Sequence, residues 1–358
     1  MDVQRARALL EVGRWEQAQQ ELARLLADQP DSVDGLCLLA RCHQLAGRFP
    51  AMLEATEQAV AVAPDNEWPH RLRSIALGKL GRVTESVAAG RRAVDLAPGI
   101  WQTHVILVDA LLAQGTTEAL RLAYRAARHG RELAPEEPEV HNACGRLYQA
   151  ISDPGAARAC YEQALRLDPN NSTARNNLAV VELRQGRATL AGERLRDVLA
   201  ERPTEALYQR NAKATATIWA SRLMEFATLA WVVEVVVALA VPGLPVRLVV
   251  GVLLLGGYAT VAGLRYRRLS PALRSMVRQN RYVVLAAVQL VTVVAIGLWW
   301  GSAPFVYVLG PLVAVSFVAS FVSVSLLRNR LFRTLQRIWR RWRYRWTVIR
   351  PVDRSSNS

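Results

Sequence analysis

The side chain most out of place in this 358-residue chain is a carboxylate, Glu234, in the run Trp231-Val-Val-Glu-Val-Val-Val. A carboxyl group at bilayer depth is costly, and groups of that kind either line ion and proton paths or hydrogen-bond to a neighbouring helix. Counted from the cytoplasmic ends of the apolar stretches delimited below, Thr292 and Ser316 reach a similar depth, with Gln289 a turn lower. Two chemistries follow. The four groups could form an ion or proton site, or a protonated Glu234 could bind a neighbouring helix or a partner subunit. With four spans and no lysine or arginine at that depth, the second is favoured. Of the other reactive residues, Cys37 and Cys42 are five apart, and Cys144 and Cys160 have no zinc-like spacing, so all four read as small packing residues of a reducing cytosol. No Gly-rich phosphate loop, nucleophile elbow or HExxH run occurs, so neither metal, cofactor nor catalysis is expected.

The elements that would position Glu234 are four apolar stretches, 224–241, 246–264, 282–300 and 305–327, each of the length that crosses roughly 30 Å of hydrocarbon as a helix. Pro242-Gly-Leu-Pro245 joins the first two and Gly301-Ser-Ala-Pro304 the last two, which predicts two helical hairpins. Between the second and third lie Arg265, Arg267, Arg268, Arg274, Arg278 and Arg281; a second arginine run begins at Arg328. The positive-inside rule then puts both termini and the middle loop in the cytoplasm of a multi-pass plasma-membrane protein, with Trp299 and Trp300 at the outer interface. No apolar h-region follows Met1, so no cleavable signal opposes this orientation. The spacings Ala259-xxx-Gly263 and Ser316-xxx-Ser320 suit close helix packing, in the bundle, a homo-oligomer or a larger membrane complex.

The tail 328–350 reads as a basic amphipathic helix, with Leu331, Leu335, Ile338, Trp342 and Trp346 recurring every three or four residues. Arg333, Arg337, Trp339, Arg340, Arg341, Trp342 and Trp346 are the candidates for an anionic inner leaflet, arginines on phosphates and tryptophans at headgroup depth. The alternative is a helix packed beneath the bundle. A shorter segment of the same kind follows Ser270-Pro271, with Leu273, Met276 and Val277 on one side.

Charge divides the chain at the same place as hydropathy. Residues 1–203 hold 25 Lys+Arg and 26 Asp+Glu, whereas 204–358 hold 20 and 4, so the formal charge of +15 belongs to the second part. A near-neutral first half argues against nucleic acid. Arginine outnumbers lysine 43 to 2, a usage bias of GC-rich bacterial coding.

The first half is periodic. Pro30, Pro64, Pro98, Pro135, Pro169 and Pro203 are spaced by 34, 34, 37, 34 and 34 residues. Aligned on the proline, Gly13, Gly47, Gly81, Ser152 and Gly186 share one position. Ala18, Met52, Ser86, Ala123, Ala157 and Ala191 share a second, and Leu25, Ala59, Ala93, Gly130, Ala164 and Val198 a third. A fixed period of this length predicts a stacked solenoid of helical hairpins, each closed by a proline that cannot continue the second helix. Three extra residues between Gly115 and Ala123 predict a longer second helix in segment four, and the start at Met1 a shortened first helix that serves as a cap.

With Gly145, Tyr148, Ala157, Tyr161, Ala164 and Pro169 in place, residues 1–203 resemble the tetratricopeptide repeat family. The resemblance implies an all-α solenoid of about six helix-turn-helix repeats, here followed by a capping or linker helix at 204–223, the four-helix transmembrane domain 224–327 and the tail 328–358. It implies that His70, His104 and His141, which share a position where the family often has a large aromatic residue, are packing groups. It also implies that the first helices line a concave face that holds a peptide or extended protein segment. By register the candidates on that face are Arg41, Arg71, Asp109, Asn142, Arg146, Asn176, Asn177 and Arg184, among them several cations and amides suited to an acidic or C-terminal carboxylate. The functional expectation is a membrane-anchored scaffold that recruits a cytosolic protein to the inner face of the plasma membrane; the alternative is a subunit of a small transporter, channel or membrane enzyme whose core is the four-helix bundle.

Overall fold

The computed structural model describes residues 3–185, 187–201, 206–240, 244–269, 271–298, 332, 335, 336, 339 and 343–349, and among these all regular structure is helical. The chain forms two compact units, Met1–Asn170 together with Arg340–Ser358, and Asn171–Trp339.

The first unit contains five helical hairpins: α1 (Val3–Glu11) with α2 (Trp15–Asp28), α3 (Val33–Leu45) with α4 (Phe49–Val62), α5 (Glu67–Lys79) with α6 (Val83–Leu96), α7 (Trp101–Gln114) with α8 (Thr117–Leu133), and α9 (Pro138–Ala150) with α10 (Pro154–Leu167). The prolines act through the residue before them. Gln29, Ala63, Ala97, Ala134 and Asp168 all leave the helical region, with ψ between 72° and 96°, because the following ring excludes αR. Side chains then restart several helices: Ser32, Asn66, Thr116 and Asp153 each accept a backbone N–H of the next first turn.

Between the two helices of a hairpin the chain passes through left-handed backbone at Gly13, Gly47, Gly81 and Gly115, with φ between 67° and 76°. Ser152 occupies the same position with φ 62°, where a Cβ is strained. The small-residue positions are the hairpin crossings, with Ala18, Met52, Ala123 and Ala157 fully buried. At Ser86 the crossing is polar, and Ser86 and Ser74 each donate to the other's carbonyl at 2.7 and 2.8 Å. As the three-residue insertion predicts, α8 is long at 17 residues, against 14 for α2, α4, α6 and α10; α1 is described over 9 residues.

The second unit begins with another hairpin, α11 (Ser172–Arg184) and α12 (Ala188–Glu201). One unbroken helix of 35 residues follows, α13 (Ala206–Ala240), roughly 52 Å long at the rise of a helix. Its first half buries Tyr208, Ala212, Ala216 and Trp219 in a core shared with Leu195 and Val198 of α12 and with α15 (Pro271–Arg278). The short segment after Ser270 thus turns Leu273 and Val277 into this core, which corrects its reading as a surface helix.

The second half of α13 is different. Leu229 and Val236 are 60% and 57% exposed, and α14 (Leu244–Arg267) exposes Val252 and Leu253 at 67% and 68%. The last described long helix, α16 (Arg281–Leu298), packs along α13. By length and composition one stretch among the described residues could cross a membrane, Val249–Arg267, with mean hydropathy 1.5 and 6% of it buried. The fourth apolar stretch, 305–327, lies outside the described residues, as does Gly186.

Candidate functional site

In the first unit α1 packs on α3, α3 on α5, α5 on α7 and α7 on α9, so the first helices form a continuous layer. Three buried histidines fix its loops. The Nε2–H of His70, His104 and His141 donates to the carbonyl of Pro64, Pro98 and Pro135 at 2.9, 2.8 and 2.7 Å. Each carbonyl belongs to the proline that ends the preceding hairpin, so the recurrence of histidine is a repeated loop clasp. Burial holds the His104 imidazole below its usual value; the bond to Pro98 works against this, and His129, with its ring 5.3 Å away, works with it.

The candidate cations of this layer are mostly engaged. On α5 the Arg71 guanidinium reaches both carboxylate oxygens of Glu67 one turn earlier. Arg146 of α9 forms a two-pronged pair with Asp109 of α7, at 2.8 and 3.0 Å, and ties adjacent repeats together. Asn142 is 2% exposed. Arg41 on α3 is exposed. A carboxylate ligand would therefore meet one open cation and two that must first release an acid, which narrows the cationic face read from the register.

Asn176, Asn177 and Arg184 fall in the second unit. Asn176 is buried and accepts the Nδ2–H of Asn211 on α13 at 2.7 Å, a bond that secures the hairpin to the long helix. Asn177 is half-buried and Arg184 exposed.

Of the bilayer-depth polar residues, Gln289 is fully buried and donates to Thr228 Oγ1 at 2.9 Å, while Thr228 donates to the Met224 carbonyl at 2.9 Å. This closed polar contact joins α13 to α16. Glu234 and Thr292 lie on those two helices with side chains outside the described residues, and Ser316 lies wholly outside them. Ala259 and Gly263 are exposed on α14, so no helix of the described residues packs on that small-residue face.

In the tail, Phe332, Leu335 and Trp339 have helical backbone and are 61%, 65% and 57% exposed, an apolar stripe at spacings of three and four. Arg333, Arg337, Arg340, Arg341 and Trp342 lie outside the described residues, as does the side chain of Trp346. The chain then departs from the amphipathic helix read from the sequence. Arg345–Ile349 is a π-helical turn on α8, with Val348 fully buried among Leu120, Ala123 and Leu147. Arg121 donates to the Thr347 carbonyl through Nε and Nη2 at 3.2 and 2.9 Å, and to Glu118 through Nη1 at 2.8 Å. The helix with three extra residues is thus the one that receives the C-terminal segment.

The cysteines are core groups. Burial raises the Cys37 thiol to about 12 and the Cys42 thiol to about 11, so both stay protonated and unreactive at neutral pH. A hydrogen bond from Cys160 on α10 lowers the Cys144 thiol on α9.

Residues 3–67 and 143–206 match the family model described as tetratricopeptide repeat. These segments are tetratricopeptide repeats. Three solved structures match part of the chain. A thermophilic tetratricopeptide repeat protein of Thermus thermophilus is 22% identical, covering 51% of this chain and 98% of its own, with TM-score 0.49. The Cut9–Hcn1 hetero-tetramer of the APC/C is 16% identical over 58% of this chain and 41% of its own, TM-score 0.50. PilW, titled a widely conserved type IV pilus biogenesis factor, is 17% identical over 58% and 95%, TM-score 0.47. No curated protein matches the chain. At 16% identity the likeness to the Cut9–Hcn1 structure is one of fold alone. Among the described glycines of the repeats the tightest position is Gly145, where a Cβ would press into the ring of the fully buried Tyr161. Glu67, Asn211, Thr228, Arg121 and Thr347 are partners that the sequence did not single out, since none carries a periodic signal.

Proposed function

We propose that the chain is a membrane-anchored scaffold whose tetratricopeptide repeats hold a protein partner at the cytoplasmic face of the plasma membrane. Tetratricopeptide repeats mediate protein–protein interaction, and the layer α3–α5–α7–α9 is the surface on which an extended segment would lie. The observation that carries the reading is the juxtaposition in one chain of that repeat layer with helices that turn Leu229, Val236, Val252 and Leu253 outward. An apolar surface of that kind needs a cover. A bilayer supplies it, and Arg265 and Arg267 at the end of α14 sit where the positive-inside rule wants cations. Four spans, at 224–241, 246–264, 282–300 and 305–327, with both termini cytoplasmic, complete the proposal. The exposed stripe Phe332, Leu335 and Trp339 supports a tail lying on the inner leaflet up to the point where Val348 docks on α8. Fixing the array at the membrane raises the local concentration of its partner there without any new contact.

In-membrane crosslinking from a photoreactive side chain at position 41 tests this, with identification of the captured protein. One protein should dominate and should be lost when Arg71 and Arg146 are both reversed to glutamate. Capture that is diffuse, or indifferent to that double change, contradicts the scaffold. The alternative, a transporter or channel core, draws on the buried Gln289–Thr228 contact, which is satisfied internally and presents no free group to an ion.

A further inference from the structure

The second unit contains a cleft of about 470 Å³, within the range of small-ligand pockets, bounded mainly by α13 and α14. Its two ends differ. At one end stand Arg187, which precedes α12, with Arg222 of α13 and Arg265 of α14; the rest of the described lining is apolar apart from the Tyr258 hydroxyl and the Trp219 indole N–H, and no acid is among the described lining residues. The Arg265 guanidinium lies over the Phe226 ring at 5.5 Å, and Arg187 is 3.7 Å from Glu182, whose carboxylate is buried beneath. Because the helices are antiparallel, the cleft descends from Arg222 to Val233 on one side and from Arg265 to Leu253 on the other. That is a depth of roughly 16 Å at the helical rise, half of the roughly 30 Å of bilayer hydrocarbon and so one leaflet. Gly257 opens the middle of the wall, where a Cβ would meet nothing within 4 Å.

We propose that this cleft binds one anionic phospholipid of the cytoplasmic leaflet, its phosphate between Arg222, Arg265 and Arg187 and one acyl chain along Phe226, Leu229 and Val261. The inference rests on the membrane reading above. Charge complementarity selects the head, because arginines from three separate elements line one end of the cleft and the described lining residues include no acid, Glu182 lying buried beneath Arg187. The apolar wall selects a chain rather than a soluble phosphate ester, since a free anion would leave that wall bare. The site differs in kind from a basic tail on a surface, which attracts any anionic lipid and holds none in place.

The test uses the full chain in phosphatidylcholine vesicles carrying a trace of photoactivatable phosphatidylglycerol or, separately, of phosphatidylcholine with the same photoactivatable acyl chain. Peptides of α13 and α14 should be labelled about tenfold more by the anionic probe, as expected when even one or two arginine contacts discriminate the head. The double change Arg222→Ala with Arg265→Ala should erase that preference. Gly257→Phe, which fills the cleft and leaves the arginines in place, should remove the labelling of cleft residues by both lipids. Equal labelling by the two lipids, or labelling unchanged by either variant, overturns the proposal. So does loss of label on adding inorganic phosphate, which would make the arginines a free-anion site. Alkaline carbonate washing of the same vesicles separates the two claims. Protein that stays in the washed vesicles but shows no preference refutes the lipid site alone, and protein that washes out refutes the membrane anchoring on which it rests.

Discussion

The first unit hides most of its large apolar side chains, whereas the second displays many of its own along the second half of α13 and along α14. In the repeats Leu22, Met52, Leu77, Leu111 and Tyr161 are at most 1% exposed, and what they face is another helix of the same unit. In the second unit Leu229, Val252, Leu253 and Leu264 are between 58% and 68% exposed. Burial drives the first arrangement unaided; the second is complete only with something against it. The contrast teaches where substitutions should hurt. Close packing makes the repeats intolerant of added volume, and the open faces of α13 and α14 should tolerate lost volume.

The sharpest way to break that contrast is Gly145→Ala. One methyl pressed into the Tyr161 ring should cost roughly 3 kcal/mol in chemical or thermal unfolding, the upper range of overpacking. A stability unchanged within error would mean that the α9–α10 crossing is not packed as described. Next comes Thr228→Val, which leaves the buried Gln289 amide without its partner and should cost about 2 kcal/mol; the same change made where the two helices do not meet would cost nothing. Ser152→Gly should act in the other direction. It relieves the left-handed backbone at φ 62° and should stabilise by about 1 kcal/mol, less the entropy glycine adds to the unfolded chain.

A smaller effect is expected from pH. The folded His104 imidazole titrates below the unfolded value of 6.5, so both states are neutral above that pH and the contribution there is complete. As pH falls below about 6.5 the unfolded chain takes up the proton first. Stability is then lost until the lowered folded value is reached. Melting of the chain between about pH 7.5 and 5.5 should show this fall, and His104→Gln should flatten it. The smallest effect belongs to Val252→Ala. At 67% exposure it should shift stability by no more than about 0.5 kcal/mol, and a larger loss would show that α14 is covered by protein after all.

The parts of this structure that were legible in the sequence are those whose cause is local. A proline excludes helical backbone at its predecessor, so the comb marked every helix end it could. The shared register passed the left-handed turn from Gly13, Gly47 and Gly81 to Ser152, a residue whose type alone gives no such signal. The three-residue insertion lengthened α8 where expected. Contacts set by the path of the chain were not legible. Asp109 with Arg146, Asn176 with Asn211 and Arg121 with Thr347 are 37, 35 and 226 residues apart, and nothing in their spacing marks them as pairs. The register placed Arg71 and Arg146 as candidates for a ligand, and it could not say that Glu67 and Asp109 already hold them. Hydropathy marked the second half of α13 and α14 as apolar, and only the fold shows that side chains such as Leu229 and Val252 are exposed.

Protease access in sealed membrane vesicles of both orientations tests the central claim most directly, namely that outward apolar helices anchor a cytosol-facing repeat array. The account predicts that the repeats are digested in inside-out vesicles and protected in right-side-out ones, with fragments containing α13 and α14 retained in the membrane after carbonate washing. Digestion in right-side-out vesicles, or release of the whole chain by the wash, would contradict it.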